Sequence, residues 1–287
     1  MLIDTHAHLD FPDFADDLEA ILQRARDAGV ERIITVGTTL ESSARAVELA
    51  TQYPIVYATV GIHPGSAHEV IDDFLPTLKA LASHPKVVAI GEIGLDYFHL
   101  PGNAQPDLTQ QVTEALQATT TNEIERLLED GAIRSRQAEV FLQQLELAIE
   151  LGLPVVIHQR DSWDDTLALL EPYTGKVRAV FHCFGGTPDQ AAQLAAMGHL
   201  VSFTGIVTFK NAGIVRETAA AVAEDGYMVE TDCPYLAPEP DRGKRCEPAH
   251  VRIVADAVAE ARGVLPELVI AASGATAQRF FRFAPDA

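Results

Sequence analysis

Residues 2–8 read LIDTHAH, a short apolar entry into a run that sets His6 and His8 two positions apart. In an extended chain that spacing projects both rings from one face. Comparable short, β-branched runs recur along the 287 residues: RIITVG from Arg32, IVYATVG from Ile55, VVAIGE from Val87, LPVVIH from Leu153, RAVFH from Arg178, HLVSFTG from His199 and YMVETD from Tyr227. Between them lie stretches of helical period: FADDLEAILQRARDAG, LESSARAVELATQ, QAEVFLQQLELAIELG, TPDQAAQLAAMG and EPAHVRIVADAVAEARG. In the first of these, Leu18, Ile21, Leu22 and Ala25 share a face and Gly29 sits where a helix stops. Strand followed by helix, eight times over, predicts a parallel (β/α)8 TIM barrel, one α/β domain over residues 1–287. An open doubly wound sheet would need a Gly-rich phosphate loop after its first strand, and none follows LIDTHAH. The rhythm breaks over about 99–134, read as an insertion after strand 4 whose part TTTNEIERLLEDG has helical period. At that place it would sit on the rim as a lid, a substrate-shaping arm, a subunit contact or a passive excursion. The sequence carries no reading of the oligomeric state.

Composition narrows the function classes. A net charge of −20 argues against a protein that coats nucleic acid, because that binding depends on many Lys and Arg contacts to phosphates. It leaves room for a polyanion held locally by bound cations. No long uncharged apolar run is present, and the opening MLIDTHAHLD lacks the basic-then-apolar pattern of a signal peptide, so a cytoplasmic protein without a membrane partner is expected. Cys183, Cys233 and Cys246 form no CxxC pair, and no disulfide framework is expected. Cys183 and Cys233 each follow a candidate metal ligand; each is either a buried apolar residue or a soft ligand or nucleophile.

The candidate ligands are the polar residues that close the apolar runs. His6 and His8 end the first, Glu92 the fourth, His158 the fifth, His182 the sixth and Asp232 the eighth. Barrel enzymes place their chemistry at these C-terminal strand ends. Buried singly, such groups are costly, and a shared cation satisfies all six. Four histidines and two carboxylates exceed one closed tetrahedral site, which points to two divalent metal ions with Glu92 as the bridge. Mixed imidazole and carboxylate donors suit Mg, Mn, Zn or iron without choosing among them. Asp4 shares the parity of His6 and is read either as an acceptor that orients a histidine ring or as a buried cap. Arg242, Lys244 and Arg245 form the densest basic cluster and are candidate substrate-binding residues for phosphates.

These segments resemble the TatD-type metal-dependent deoxyribonucleases of the amidohydrolase-like barrels. The resemblance is carried by DTHAHLD at Asp4, GIHP at Gly61, AIGEIGLDY at Ala89, LPVVIHQRD at Leu153, FHCFGG at Phe181, VSFTGIVTFKNA at Val201, and ETDCPYLAP at Glu230 followed by RGKR. It implies that His6, His8, Glu92 and Asp232 surround one metal, and Glu92, His158 and His182 a second. It implies a hydrolase that acts on DNA 3′ ends or single-stranded DNA as a 3′-to-5′ exonuclease, damaged ends and repair included. Water would be the nucleophile, with Asp232 and Glu92 as catalytic groups and His63 contacting the phosphate or the reacting water. Two positions depart from the family pattern: Gly65 where a histidine is frequent after GIHP, and Cys246 where an asparagine is common after RGKR. A metal-dependent esterase acting on aminoacyl-tRNA or another ester or amide is the alternative the same barrel could serve, and a non-catalytic metal-binding scaffold is the third reading.

Overall fold

The computed structural model describes residues 1–101 and 120–283; the part of the 99–134 insertion between them lies outside the described residues. The strands are β1 (Leu2–Ala7), β2 (Val30–Val36), β3 (Val56–Val60), β4 (Val87–Asp96), β5 (Val155–Arg160), β6 (Ala179–Phe181), β7 (Leu200–Phe203) and β8 (Tyr227–Val229). Each pairs in parallel with the next, in the order β1 to β8. The seam closes just beyond β8: Ala7 bridges Cys233, the Asp232 amide donates to the His6 carbonyl at 2.8 Å, and the His8 amide donates to the Cys233 carbonyl at 2.8 Å. This is the predicted (β/α)8 barrel.

The helices are α1 (Leu18–Asp27), α2 (Leu40–Gln52), α3 (Leu75–Ala82), α4 (Thr120–Leu151), α5 (Trp163–Leu170), α6 (Pro188–Ala196), α7 (Gly213–Ala221), α8 (Val251–Arg262) and α9 (Pro266–Phe281). Helix α1 buries Ile21, Leu22 and Ala25 and stops before Gly29, whose φ of +85° a side chain would oppose. The helical segment expected within the insertion does not stand apart. It continues through Gly131 into the β4–β5 crossover helix, so that α4 is 32 residues long. No helix among the described residues is long and apolar enough to cross a membrane.

The strands are apolar because a barrel buries both of their faces. Val156, Val180 and Met228 fall two residues before His158, His182 and Glu230, and they join Ile3 and Ile34 in an apolar cluster closed by Phe280, Phe281 and Phe283. One end of the barrel interior is therefore hydrophobic, and the other carries the polar side chains.

Candidate metal centre

Strand ends differ from the sequence reading in ways that shape the site. Strand β4 does not stop at Glu92 but runs on to Asp96, which places Glu92 inside the barrel mouth, 3% exposed. Strands β6 and β8 stop short, so His182 and Asp232 stand on irregular backbone beyond them. Asp232 takes φ +57° and the neighbouring Cys183 φ +48°, a left-handed conformation uncommon outside glycine and enriched at functional sites.

All six candidate ligands converge, with Glu92 between two groups. On one side, His6 Nε2 lies 3.5 Å and His8 Nε2 3.9 Å from Glu92 Oε2, and the same nitrogens lie 3.6 and 3.3 Å from Asp232 Oδ1. The two nitrogens are 3.3 Å apart. Donors about 2.1 Å from a tetrahedral ion stand roughly 3.4 Å from one another, close to these separations. On the other side, His158 Nδ1 and His182 Nε2 are each 2.7 Å from Glu92 Oε1 and 3.1 Å from each other. The carboxylate thus turns one oxygen to each histidine pair.

Around these atoms lies a layer the sequence reading did not assign. His158 Nε2 faces Asp96 Oδ2 at 3.3 Å, which leaves Nδ1 as its inward donor. His182 Nδ1 faces Glu230 Oε1 at 3.6 Å, and that oxygen also accepts from the Cys183 amide at 2.7 Å. Parity could have found both, since Asp96 follows Glu92 by four residues in one strand and Glu230 precedes Asp232 by two. Asp4 holds the seam rather than a ring: its carboxylate accepts from the Thr231 amide at 2.9 Å and hydroxyl at 2.7 Å, and burial pushes its pKa up to about 8. Of its two readings, the structure favours the cap.

The cluster fits cations on its electrostatics as well. Burial alone would raise the Glu92 pKa, but His182, His63 and His158 outweigh it and hold the carboxyl well below its usual range. Burial likewise opposes charge on His182, yet Glu92 and Glu230 draw its pKa well upward. The carboxylates pull protons onto the imidazoles, so the group demands positive charge at its centre. His6 Nδ1 and His8 Nδ1 are buried without a hydrogen-bond partner among the described residues.

His63 behaves differently from the six. Its Nδ1 accepts from the Gly65 amide at 3.0 Å, and burial pushes its pKa down to about 4. A neutral ring that accepts at Nδ1 carries its proton on Nε2, which faces Glu92 Oε1 at 3.5 Å. The ring also stands with Glu92 and His158 in a group whose donor atoms could hold an ion, so it is placed either to donate or to ligate. A Cβ at Gly65 would stand 3.1 Å from His63 Nδ1, so this departure from the family pattern leaves space beside the ring.

The cluster opens into a cleft of 1290 Å³ lined by His8, His63, Glu92, His158, His182 and Asp232, and by Arg134, Arg160, Trp163 and Tyr235. The basic cluster singled out from sequence is not among the lining residues. Arg245 is engaged by Asp17 at 2.7 Å and Glu247 at 2.9 Å, Lys244 pairs with Asp241 at 2.7 Å, and Arg242 lies 4.3 Å over the Phe209 ring. Among the three cysteines, Cys233 and Cys246 are fully buried. The Cys183 thiol, at the cleft, is pushed up to about 12 by burial, which makes it a poor nucleophile.

A parallel barrel that gathers histidines and carboxylates at one mouth around an open cleft is the architecture of a metal-dependent hydrolase. Known proteins place it further. The profile described as TatD related DNase matches residues 3–282, and the chain belongs to that family. It is 37% identical to the metal-dependent hydrolase YabD of Bacillus subtilis, covering 98% of this chain and 99% of that protein. It is 34% identical to a protein of Erwinia billingiae named 3′-5′ ssDNA/RNA exonuclease TatD, over 98% and 99% of the two chains. The crystal structure of YjjV, a TatD homologue from Escherichia coli, matches with a TM-score of 0.82 at 29% identity, covering 99% of this chain and 98% of that one.

Proposed function

We propose that this hydrolase cuts phosphodiester bonds of DNA from 3′ ends, single strands first, with two divalent cations held around Glu92. His6, His8, Asp232 and Glu92 would hold one, and Glu92, His158 and His182 the other. The observation that carries this reading is the division of the Glu92 carboxylate, one oxygen toward each histidine pair. The exonuclease name of the Erwinia billingiae relative supports the choice of bond. Mg, Mn or Zn bound there would supply Lewis acidity to a phosphoryl oxygen and lower the pKa of a water.

The chain's own residues do the rest. Burial would raise the Asp232 pKa, but the hydrogen bond with His8 and the nearby His6 and His182 keep it lowered. Its carboxylate lines the cleft as a base ready to take the proton of the attacking water. His63 offers its Nε2 proton to the phosphate beside Glu92, a donor fixed by the Gly65 amide. Asp96 and Glu230 face the outer nitrogens of His158 and His182, where they would orient the rings once the inner nitrogens ligate.

Purified protein supplied with Mn or Mg should shorten a single strand labelled at its 5′ end and accessible at its 3′ end. Glu92→Ala should reduce that rate by at least about a thousandfold, because both cations lose a donor. Activity retained in this variant would overturn the shared-carboxylate assignment. A hundredfold preference for a charged tRNA ester over the oligonucleotide would overturn the choice of bond.

A further inference from the structure

Several arginines of this acidic chain are paired: Arg24, Arg45, Arg136, Arg245 and Arg252 each meet a carboxylate. Arg134 and Arg160, on the cleft wall, have no carboxylate within ion-pair distance among the described residues. They lie instead over aromatic rings. Arg160 Cζ is 3.7 Å from the Phe98 ring centroid, and Arg134 Cζ is 4.2 Å from that of Tyr97. Phe98 remains 47% exposed.

Register ties this pair to the metal centre. Gly94 is the partner of His158 and Asp96 the partner of Arg160 in the β4–β5 ladder. Arg160 therefore stands two residues, about 7 Å, beyond His158 along the same strand. Asp96 links the two levels: Oδ2 faces His158, and Oδ1 accepts from the Phe98 amide at 3.0 Å. The same wall carries Asp161 and Asp164, which disfavour a second phosphate there but tolerate a neutral heterocycle.

We propose that Phe98 and Arg160, with Arg134 on Tyr97 beside them, form a stacking shelf for one unpaired nucleobase of the nucleotide whose phosphate lies at the histidine cluster. This rests on the nuclease reading above and names the subsite that would select single strands. An aromatic ring and a guanidinium plane both stack on a base, and stacking tolerates any sequence because each base has a π face. Paired bases in a duplex hide those faces, so the shelf discriminates against duplex without reading base edges.

The test uses metal-loaded protein and a phosphorothioate-linked single strand with 2-aminopurine at its 3′ end, whose fluorescence is quenched on stacking. Wild-type protein should quench it; Phe98→Ala and Arg160→Ala should not. On cleavable strands Phe98→Ala should raise KM about tenfold while kcat falls less than about threefold. An abasic 3′ nucleotide should remove the difference between variant and wild type. Arg160→Lys keeps the charge but not the plane and should behave as Arg160→Ala; full rescue by lysine would overturn stacking in favour of charge alone. Cleavage by wild type with an unchanged KM in Phe98→Ala would overturn the shelf and leave the nuclease reading standing. A wild type that hydrolyses esters but shortens no oligonucleotide would overturn both.

Discussion

The two ends of the barrel interior are built from the same strands and differ in almost everything else. At one end Val156, Val180 and Met228 pack with Ile3 and Ile34 under Phe280 and Phe281, a dry plug. Two residues further along the chain from Val156 and Val180, His158 and His182 meet the Glu92 carboxylate, and Glu230, two beyond Met228, stands behind the His182 ring. The plug gains stability from apolar burial. The mouth carries desolvated charges that offset one another, as the lowered pKa of Glu92 and the raised pKa of His182 record, and bound cations would take the place of the protons on its imidazoles. Stability and chemistry are thus stacked along each strand, and the change from one to the other takes a single side-chain repeat.

The strongest attempt to break this separation is Phe280→Ala. The ring is 1% exposed, packs edge to face on Phe281 at 4.8 Å and sits far along the chain from every candidate ligand. Emptying that volume should cost about 3–5 kcal/mol in denaturant unfolding. Turnover per folded molecule should stay unchanged at saturating metal. A variant that keeps its unfolding midpoint but loses turnover would show that the plug positions the mouth, and the separation would be wrong.

A smaller effect comes from a buried histidine near the plug. His199 precedes β7, is 2% exposed and accepts from the Ala179 amide through Nδ1 at 3.3 Å; its Nε2 is buried without a hydrogen-bond partner among the described residues. Burial pushes its pKa down to about 4. The unfolded chain, with an imidazole near pKa ~6.5, binds the extra proton first, so this residue's contribution is complete above that value and lost as pH falls toward 4. Between pH 7 and pH 4.5 the wild type should lose about 2 kcal/mol that His199→Gln does not lose, because glutamine offers the same acceptor without titrating. Parallel slopes for the two proteins, measured by urea unfolding at both pH values, would exclude a buried neutral imidazole.

Much of this was legible in the sequence, for a physical reason. Barrel strands are buried on both faces, so they read as apolar runs, and a polar residue that ends such a run is conspicuous; His6, His8, Glu92, His158, His182 and Asp232 were all found that way. Strand ends were not legible. Glu92 lies inside β4, while His182 and Asp232 sit past their strands, because backbone at the mouth is set by tertiary hydrogen bonds such as Asp232 amide to His6 carbonyl. Asp96 and Glu230 carried a usable signal in their spacing from Glu92 and Asp232. Arg134 and Arg160 carried none, since an arginine becomes informative only when its neighbours in space are known.

Charge density along the chain is the reverse case, and Arg245 shows why. It belongs to the most basic stretch of the sequence, RGKR, yet its guanidinium is held by the Asp17 carboxylate at 2.7 and 2.9 Å, Glu247 at 2.9 Å and the Asp13 carbonyl at 2.6 Å. The same Glu247 also binds Arg24 at 2.7 Å, so the group pins α1 to the segment before α8. Half-exposed pairs of this kind contribute little singly, and Arg245→Ala should cost about 1 kcal/mol. Its KM for a single-stranded oligonucleotide should stay within twofold of wild type, whereas Arg160→Ala should raise it. If Arg245→Ala instead weakened DNA binding without changing the unfolding midpoint, the RGKR stretch would have to leave its carboxylates when substrate arrives. The cleft wall and the basic stretch would then act together on the strand.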